Sequence, residues 1–233
     1  MSWATLLERA DATTDAAVDD VTRALARRRD LPDDETGPVE GDPAPDDAET
    51  TDSSGSSPEG TGSTHDGTGG KAGPDDPEPE PSPARVVADA DVLAADLLVG
   101  GDARDALDGV RAHSWTTLVA SDPLLADAAA VVTVLGGPEL AADWRVRVNR
   151  LCERVDHPPG DHPALASAYR GGAMHVLSFD DRLRSAGTGA AIREHVETSV
   201  KHPGAFAHLF DPASLYAAVE DGPYPGPDRD PRA

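Results

Sequence analysis

Cysteine occurs once in the 233 residues, at Cys152. A single thiol excludes an intrachain disulfide. It also excludes a zinc ribbon or knuckle, which needs several cysteines or histidines at fixed spacing. Lysine is almost as scarce, with only Lys71 and Lys201 among the twenty basic residues. Long apolar runs are missing too. No stretch approaches the roughly 18 residues that a membrane-spanning helix requires. Met1 to Arg9 lacks the basic flank and apolar stretch of a secretory signal. Together these absences predict a soluble, cytoplasmic protein with no membrane partner.

What is abundant is acid. There are 43 aspartates and glutamates, and the formal net charge is −23. Acid spread along a whole chain, with lysine nearly absent, resembles the proteins of salt-accumulating halophiles. Such charge keeps a surface hydrated where salt screening is strong. At high salt the counterion-release gain from a basic patch is largely lost. The lack of a basic stripe therefore does not exclude a nucleic-acid substrate.

The chain divides by composition. Residues 2–29 read as one helix, with Trp3, Leu6, Leu7, Ala10, Ala17, Val18, Val21 and Leu25 at steps of three and four. Ser2 suits the N-cap, and Arg27, Arg28 and Arg29 suit the C-terminal turn. The narrow apolar stripe could dock on the chain's own domain, form a homodimer or hold a protein partner. Residues 31–84 hold 15 acids against one base, Lys71, with many prolines, glycines and serines. Too little apolar surface is present to offset ordering entropy, so a disordered acidic linker is expected there. Residues 85–220 carry the folded domain, and the proline-rich residues 221–233 read as a flexible tail.

Within 85–220, strands are expected at Arg85–Asp89, Thr116–Ala120, Met174–Ser178 and Thr198–Lys201. Helices are expected from Val92 to His113 with a break at Gly100-Gly101, from Asp122-Pro123 onward, over Glu139–Val155, Pro163–Arg170 and Ala190–Val196, and at about Ala205–Phe210 and Ala213–Val219. Asp122 is read as an N-cap ahead of a proline at the first helical position. Alternating strands and helices predict an α/β domain with a mostly parallel central sheet covered on both faces.

Ligands of such sheets sit beyond the carboxyl ends of the strands. Asp89 ends the first strand and Asp180 follows the third by two residues. Asp161 precedes the Pro163 helix, and Asp127 lies about one turn into the helix opened by Pro123. Four carboxylates converging on one rim would repel one another, and hard divalent cations relieve that repulsion.

The segment Val86-Val87-Ala88-Asp89-Ala90-Asp91-Val92-Leu93 resembles the opening of the PIN-domain nuclease family: an apolar strand, an aspartate, a small residue, often an asparagine, then apolar residues. Ser121 with Asp127 is similar to its second motif. Asp161 through Ala168 is similar to its third, an aspartate opening an alanine-rich helix. Ser178-Phe179-Asp180 is similar to its last. The resemblance implies a PIN-like three-layer α/β/α domain in which Asp89, Asp127, Asp161 and Asp180 bind Mg²⁺ or Mn²⁺. It implies hydrolysis of a phosphodiester, usually in RNA, by metal-activated water, with Ser178 hydrogen-bonding nearby. Asp91 stands where the family often has asparagine, and Asp127 where glutamate is commoner.

Two other readings stay open. Asp89-Ala90-Asp91 after a strand, with Asp180-Asp181, also resembles haloacid-dehalogenase-type phosphatases. That family expects a lysine between these motifs, whereas Lys201 follows both. A non-catalytic PIN-like scaffold that binds RNA or protein is the other. His157, His162 and His175 read as surface or satisfied core residues. Trp115 and Trp144 read as core. Arg147, Arg150 and Arg154 are expected on one helix face, either solvated or holding a phosphate backbone.

Overall fold

The computed structural model describes residues 2–30, 79–158, 160–185 and 198–233. Five strands form one parallel sheet: β1 (Ser82–Ala88), β2 (Thr117–Ser121), β3 (Cys152–Val155), β4 (Ala173–Leu177) and β5 (Ser199–Lys201). Their order is β3-β2-β1-β4-β5, so β1 is central and the winding direction reverses between β1 and β4. That reversal is the topological switch point, where loops on the two sides part and leave a crevice. Val86, Val87 and Ala88 of β1 are buried, as a strand covered on both faces requires.

The connections are helical. From β1 the chain runs through α3 (Ala90–Leu98) and α4 (Gly101–Arg111) to β2, then through α5 (Asp122–Gly136) and α6 (Pro138–Leu151) to β3. It returns through α7 (Pro163–Gly171) to β4, and α8 (Pro203–Leu209) and α9 (Pro212–Val219) follow β5. By the right-handed rule for such crossovers, α3–α6 lie on one face and α7, moving in the other direction, on the opposite one. α7 approaches the sheet closely because Gly171 has no Cβ; one would meet Val119 Cγ1 at 2.3 Å. The break between α3 and α4 falls at Gly100 and Gly101, both with positive φ (81° and 54°), a conformation that favours glycine.

Every residue of α3 is buried. A mostly apolar helix buried on every side needs cover on every side, and the N-terminal segment completes it. That segment is two helices, α1 (Trp3–Thr13) and α2 (Val18–Arg29), not one. Ser2 Oγ accepts from Thr5 N at 3.2 Å, as its N-cap role requires. Asp20 reaches back to Ala17 N at 3.1 Å and starts α2 anew. Trp3, Leu6, Leu7 and Ala10 of α1, with Val21 and Leu25 of α2, belong to the domain's own core. The apolar stripe thus docks on its own chain, which leaves the expected homodimer or partner face already covered.

Several other expectations change. β3 was expected as the end of a helix over 139–155. The strand has only four residues, buried at Cys152 and Val155 but not between, and these continue the apolar pattern of α6 without a break. Arg154 therefore lies on a strand and does not share a helix face with Arg147 and Arg150. It pairs with Asp122, as does Arg145 at 3.2 Å. Ser121, not Asp122, caps α5, accepting from Leu124 N at 3.4 Å. The folded region begins ahead of residue 85, since β1 starts at Ser82. Residues 221–233 are no loose tail. Tyr224 Oη lies 2.6 Å from His113 Nε2, Asp228 Oδ1 accepts from Ser114 N at 2.7 Å, and Arg232 Nη2 reaches Asp108 at 2.6 Å. The linker over 31–78 and the helix over 190–196 lie outside the described residues.

One buried ion pair ties these layers together. Arg111 grips Asp96 with two bonds, at 2.6 and 3.0 Å, and also reaches Asp108 at 2.6 Å. The Arg111 and Asp96 side chains are only 6% and 2% exposed. The guanidinium also lies 4.8 Å from the Trp3 ring of α1, a favourable cation–π contact. Arg111→Ala leaves Asp96 buried and uncompensated. Urea denaturation should show a loss of about 3–5 kcal/mol, and a loss below about 1 kcal/mol, typical of an exposed pair, contradicts this account.

Candidate active site

β1 delivers Asp89 to the switch point. The residue follows the strand directly, caps α3 through Ala90 N at 2.7 Å, and its own backbone N–H donates to Leu177 O on β4 at 2.8 Å. Its carboxylate is fully buried. An isolated buried carboxylate is strongly unfavourable, so it needs hydrogen-bond donors and a counter-charge. Ser178, just beyond β4, donates to Asp89 Oδ2 at 3.1 Å. The counter-charge comes from an unforeseen place, the last residue of α2. Arg29 Nη2 donates to Asp89 Oδ1 at 2.8 Å.

The same guanidinium joins three elements. Arg29 Nε donates to Asp127 Oδ2 on α5 at 3.3 Å, and Arg28 Nε lies 3.6 Å from Asp127 Oδ1. Arg29 Nη1 donates to His162 Nε2 at the start of α7, at 3.1 Å. Burial alone would lower the Arg29 value, but Asp89 and Asp127 more than offset it and hold the guanidinium above its ordinary value. Burial pulls His162 below its ordinary value, with Arg29 adding to the effect. A neutral imidazole is the form that can accept at Nε2.

Asp91 is the second acid of the cluster. It is 2% exposed, and its Oδ2 accepts from Phe179 N at 3.0 Å and lies 3.3 Å from Ser178 Oγ. Its Oδ1 is buried with no hydrogen-bond partner. Burial first, and then Asp89, push it up to about 8. The geometry agrees: Ser178 has one hydroxyl hydrogen and two carboxyl groups within reach. A proton on Asp91 resolves that competition and makes it a neutral group, as asparagine would be.

Asp180 is half-buried at the same edge. Its backbone N–H donates to Ser178 Oγ at 3.0 Å, and its Oδ1 accepts from Arg182 N at 2.8 Å. Between this turn and α2 lies a cleft of about 620 Å³, walled by Arg29, Asp91, Phe179, Asp180, Asp181 and one face of α2. Asp161 stands apart. It is exposed, His162 takes the N-cap position of α7 in its place, and none of the contacts linking the other acids includes it. The structure thus brings Asp89, Asp127, Asp180 and Ser178 to one edge of the sheet and leaves Asp161 out. Among the described residues, no group of three or more His, Cys, Asp or Glu is placed to hold a metal ion.

The residues that the sequence reading missed are Arg29, His162 and the neutral role of Asp91. A faint signal existed for Arg29, since Val21, Leu25 and Arg29 recur at steps of four and extend the buried stripe of α2. Lys201, which a phosphatase would need nearby, lies against His175 Nδ1 at 3.1 Å, beside a separate cavity of about 380 Å³ next to Phe206. Among the described residues, no helix is long and apolar enough to cross a membrane.

A family of unknown function (DUF7384) matches residues 80–232, and the chain belongs to that family. The matched span takes in all five strands and the pinned C-terminal segment, and begins after α2. No curated protein and no solved structure matches the chain.

The raised Asp91 value has a consequence for stability. The folded state binds this proton more tightly than the unfolded chain, whose carboxyl titrates near 3.8. The contribution is full below that value and is lost as pH rises through about 8. Asp91→Asn keeps the acceptor for Phe179 N and carries no charge at any pH. Melting of the variant should match wild type near pH 4, depend less on pH up to 8, and exceed wild type by several degrees at pH 8. A variant that melts at or below wild type at pH 8 contradicts the assignment.

Proposed function

We propose that this chain is a PIN-like, divalent-metal-dependent endoribonuclease acting at the edge where β1 and β4 diverge. The observation that carries the reading is the fully buried Asp89 carboxylate at the switch point, stabilised by a cation and sharing the Ser178 hydroxyl with Asp91. The strand order and the placement of Asp89, Asp127, Asp180 and Ser178 at one edge support it.

The donor set fits a hard cation. The oxygens of Asp89 and Asp127 already stabilise one positive charge, that of Arg29, and the unpartnered Asp91 Oδ1 is a further oxygen donor beside the cleft. Mg²⁺ commonly uses one or two carboxylates and completes its shell with water and substrate phosphate. Asp89 and Asp127 would hold it, with Asp91 and Asp180 beside them at the cleft. Bound there, Mg²⁺ or Mn²⁺ would supply a polarised water and charge neutralisation at phosphorus. The chain's own residues do the rest. Ser178 fixes the Asp89 carboxylate, and its contact with Asp180 N fixes the turn that follows β4. Protonated Asp91 keeps a second negative charge out of the cluster. The acidic surface disfavours an anionic substrate at low salt and tolerates it where charges are screened, in keeping with a halophile-type composition.

Arg29 at Asp89 favours one second reading, a PIN-like scaffold that binds RNA or protein without cleaving it. A guanidinium that never leaves would satisfy the acids permanently.

Cleavage of generic single-stranded RNA at high salt, with Mg²⁺ or Mn²⁺, separates the two. Wild type should cleave, and Asp89→Asn and Asp180→Asn should each lose at least about a hundredfold, the upper end of what disturbing a metal site brings. Unchanged cleavage in both variants removes this site from the reaction. A silent wild type that still binds RNA favours the scaffold.

A further inference from the structure

α1 and α2 are anchored very differently. α1 buries Trp3, Leu6, Leu7 and Ala10, and Arg111 faces its indole. α2 fully buries only Val21 and Leu25, packs Ala24 against the core beside α3 and α5, and adds ionic contacts through Arg28 and Arg29. Residues 14–17 between them are non-helical, and α2 has no side-chain bond from its own N-cap residue, Ala17. One face of α2, including Val18, Thr22 and Ala26, forms one wall of the cleft whose other wall holds Asp91 and Asp180. α2 is thus the element that places a cation on the buried acid.

A guanidinium between two carboxylates and a metal ion bound by the same oxygens compete, because the two positive charges repel each other and draw on the same acceptors. Binding of one must weaken the other by the same factor, as linkage requires. We propose that α2 is an intramolecular latch on the acidic site: Arg29 occupies the cation position between Asp89 and Asp127, and a divalent cation engages those carboxylates only by displacing Arg29, which frees α2 and widens the cleft. This regulation rests on the metal-binding reading above. It makes the resting site charge-balanced without metal, and it couples metal entry to access for substrate.

The test uses the full chain, stripped with chelator and held at constant high salt. Mn²⁺ binding is measured by calorimetry for wild type and for Arg29→Gln. Amide hydrogen exchange of wild type is followed as Mn²⁺ is raised, which needs no variant to fold. The latch predicts that Arg29→Gln binds Mn²⁺ at least about tenfold more tightly, the size expected when one charge-assisted contact no longer competes. It also predicts that Mn²⁺ lowers protection over residues 18–29 of wild type, while α1 and the sheet keep theirs. Equal Mn²⁺ affinity in the two proteins, or α2 protection unchanged at saturating Mn²⁺, overturns the latch and leaves the metal site standing. No Mn²⁺ binding by either protein overturns both.

Discussion

A fully buried carboxylate at the end of the central strand sets the terms for the rest of this molecule. Asp89 sits where the sheet changes direction, out of reach of bulk water, and its charge is met by one guanidinium and two hydrogen-bond donors. The guanidinium belongs to Arg29, distant in sequence, so the N-terminal helices are part of the domain and of its site. Neither is an appendage. Asp127 and His162 complete the setting, one sharing the charge and the other accepting as a neutral ring. Three elements, α2, α5 and α7, therefore converge on a point that β1 determines.

The apolar architecture explains why α2 is in position to do this. α3 is buried along its whole length, and α1 and α2 cover what α4 and α5 do not. Arg111 links this cover to the base of the domain, holding Asp96 of α3 on one side and the Trp3 ring of α1 on the other. The same cluster reaches the C-terminal segment through Asp108 and Arg232. Both ends of the chain are thus tied to one buried charge network, which lies apart from the acidic edge.

Much of this was legible in the sequence, for identifiable reasons. β1, β2 and β4 are short, largely apolar runs bounded by helix signals, and the glycine pair at 100–101, both at positive φ, marks the break between α3 and α4. Asp89 and Asp180 follow strands, so the parallel rule places them on the same edge. What was not legible depends on contacts between segments. β3 continues the apolar pattern of α6, and only pairing with β2 makes Cys152–Val155 a strand. The proline-rich end looks loose because its anchors, such as Tyr224 on His113 and Asp228 on Ser114, are single polar contacts with no period. Asp161 has the right neighbour in Pro163, yet its side chain faces solvent, since His162 takes the turn into α7. Arg29 is one of three consecutive arginines, and a stripe of two apolar residues is too short to say which one turns inward.

The central claim is that Arg29 and Asp89 are direct counter-ions, and a double-mutant cycle measures that interaction alone. Stabilities of wild type, Arg29→Gln, Asp89→Asn and the double variant, from urea denaturation at one high salt concentration, give the coupling free energy. The account predicts a coupling of about 1–3 kcal/mol, as for residues in one buried ionic network. Additive single effects, with no coupling beyond about 0.3–0.5 kcal/mol, would contradict it.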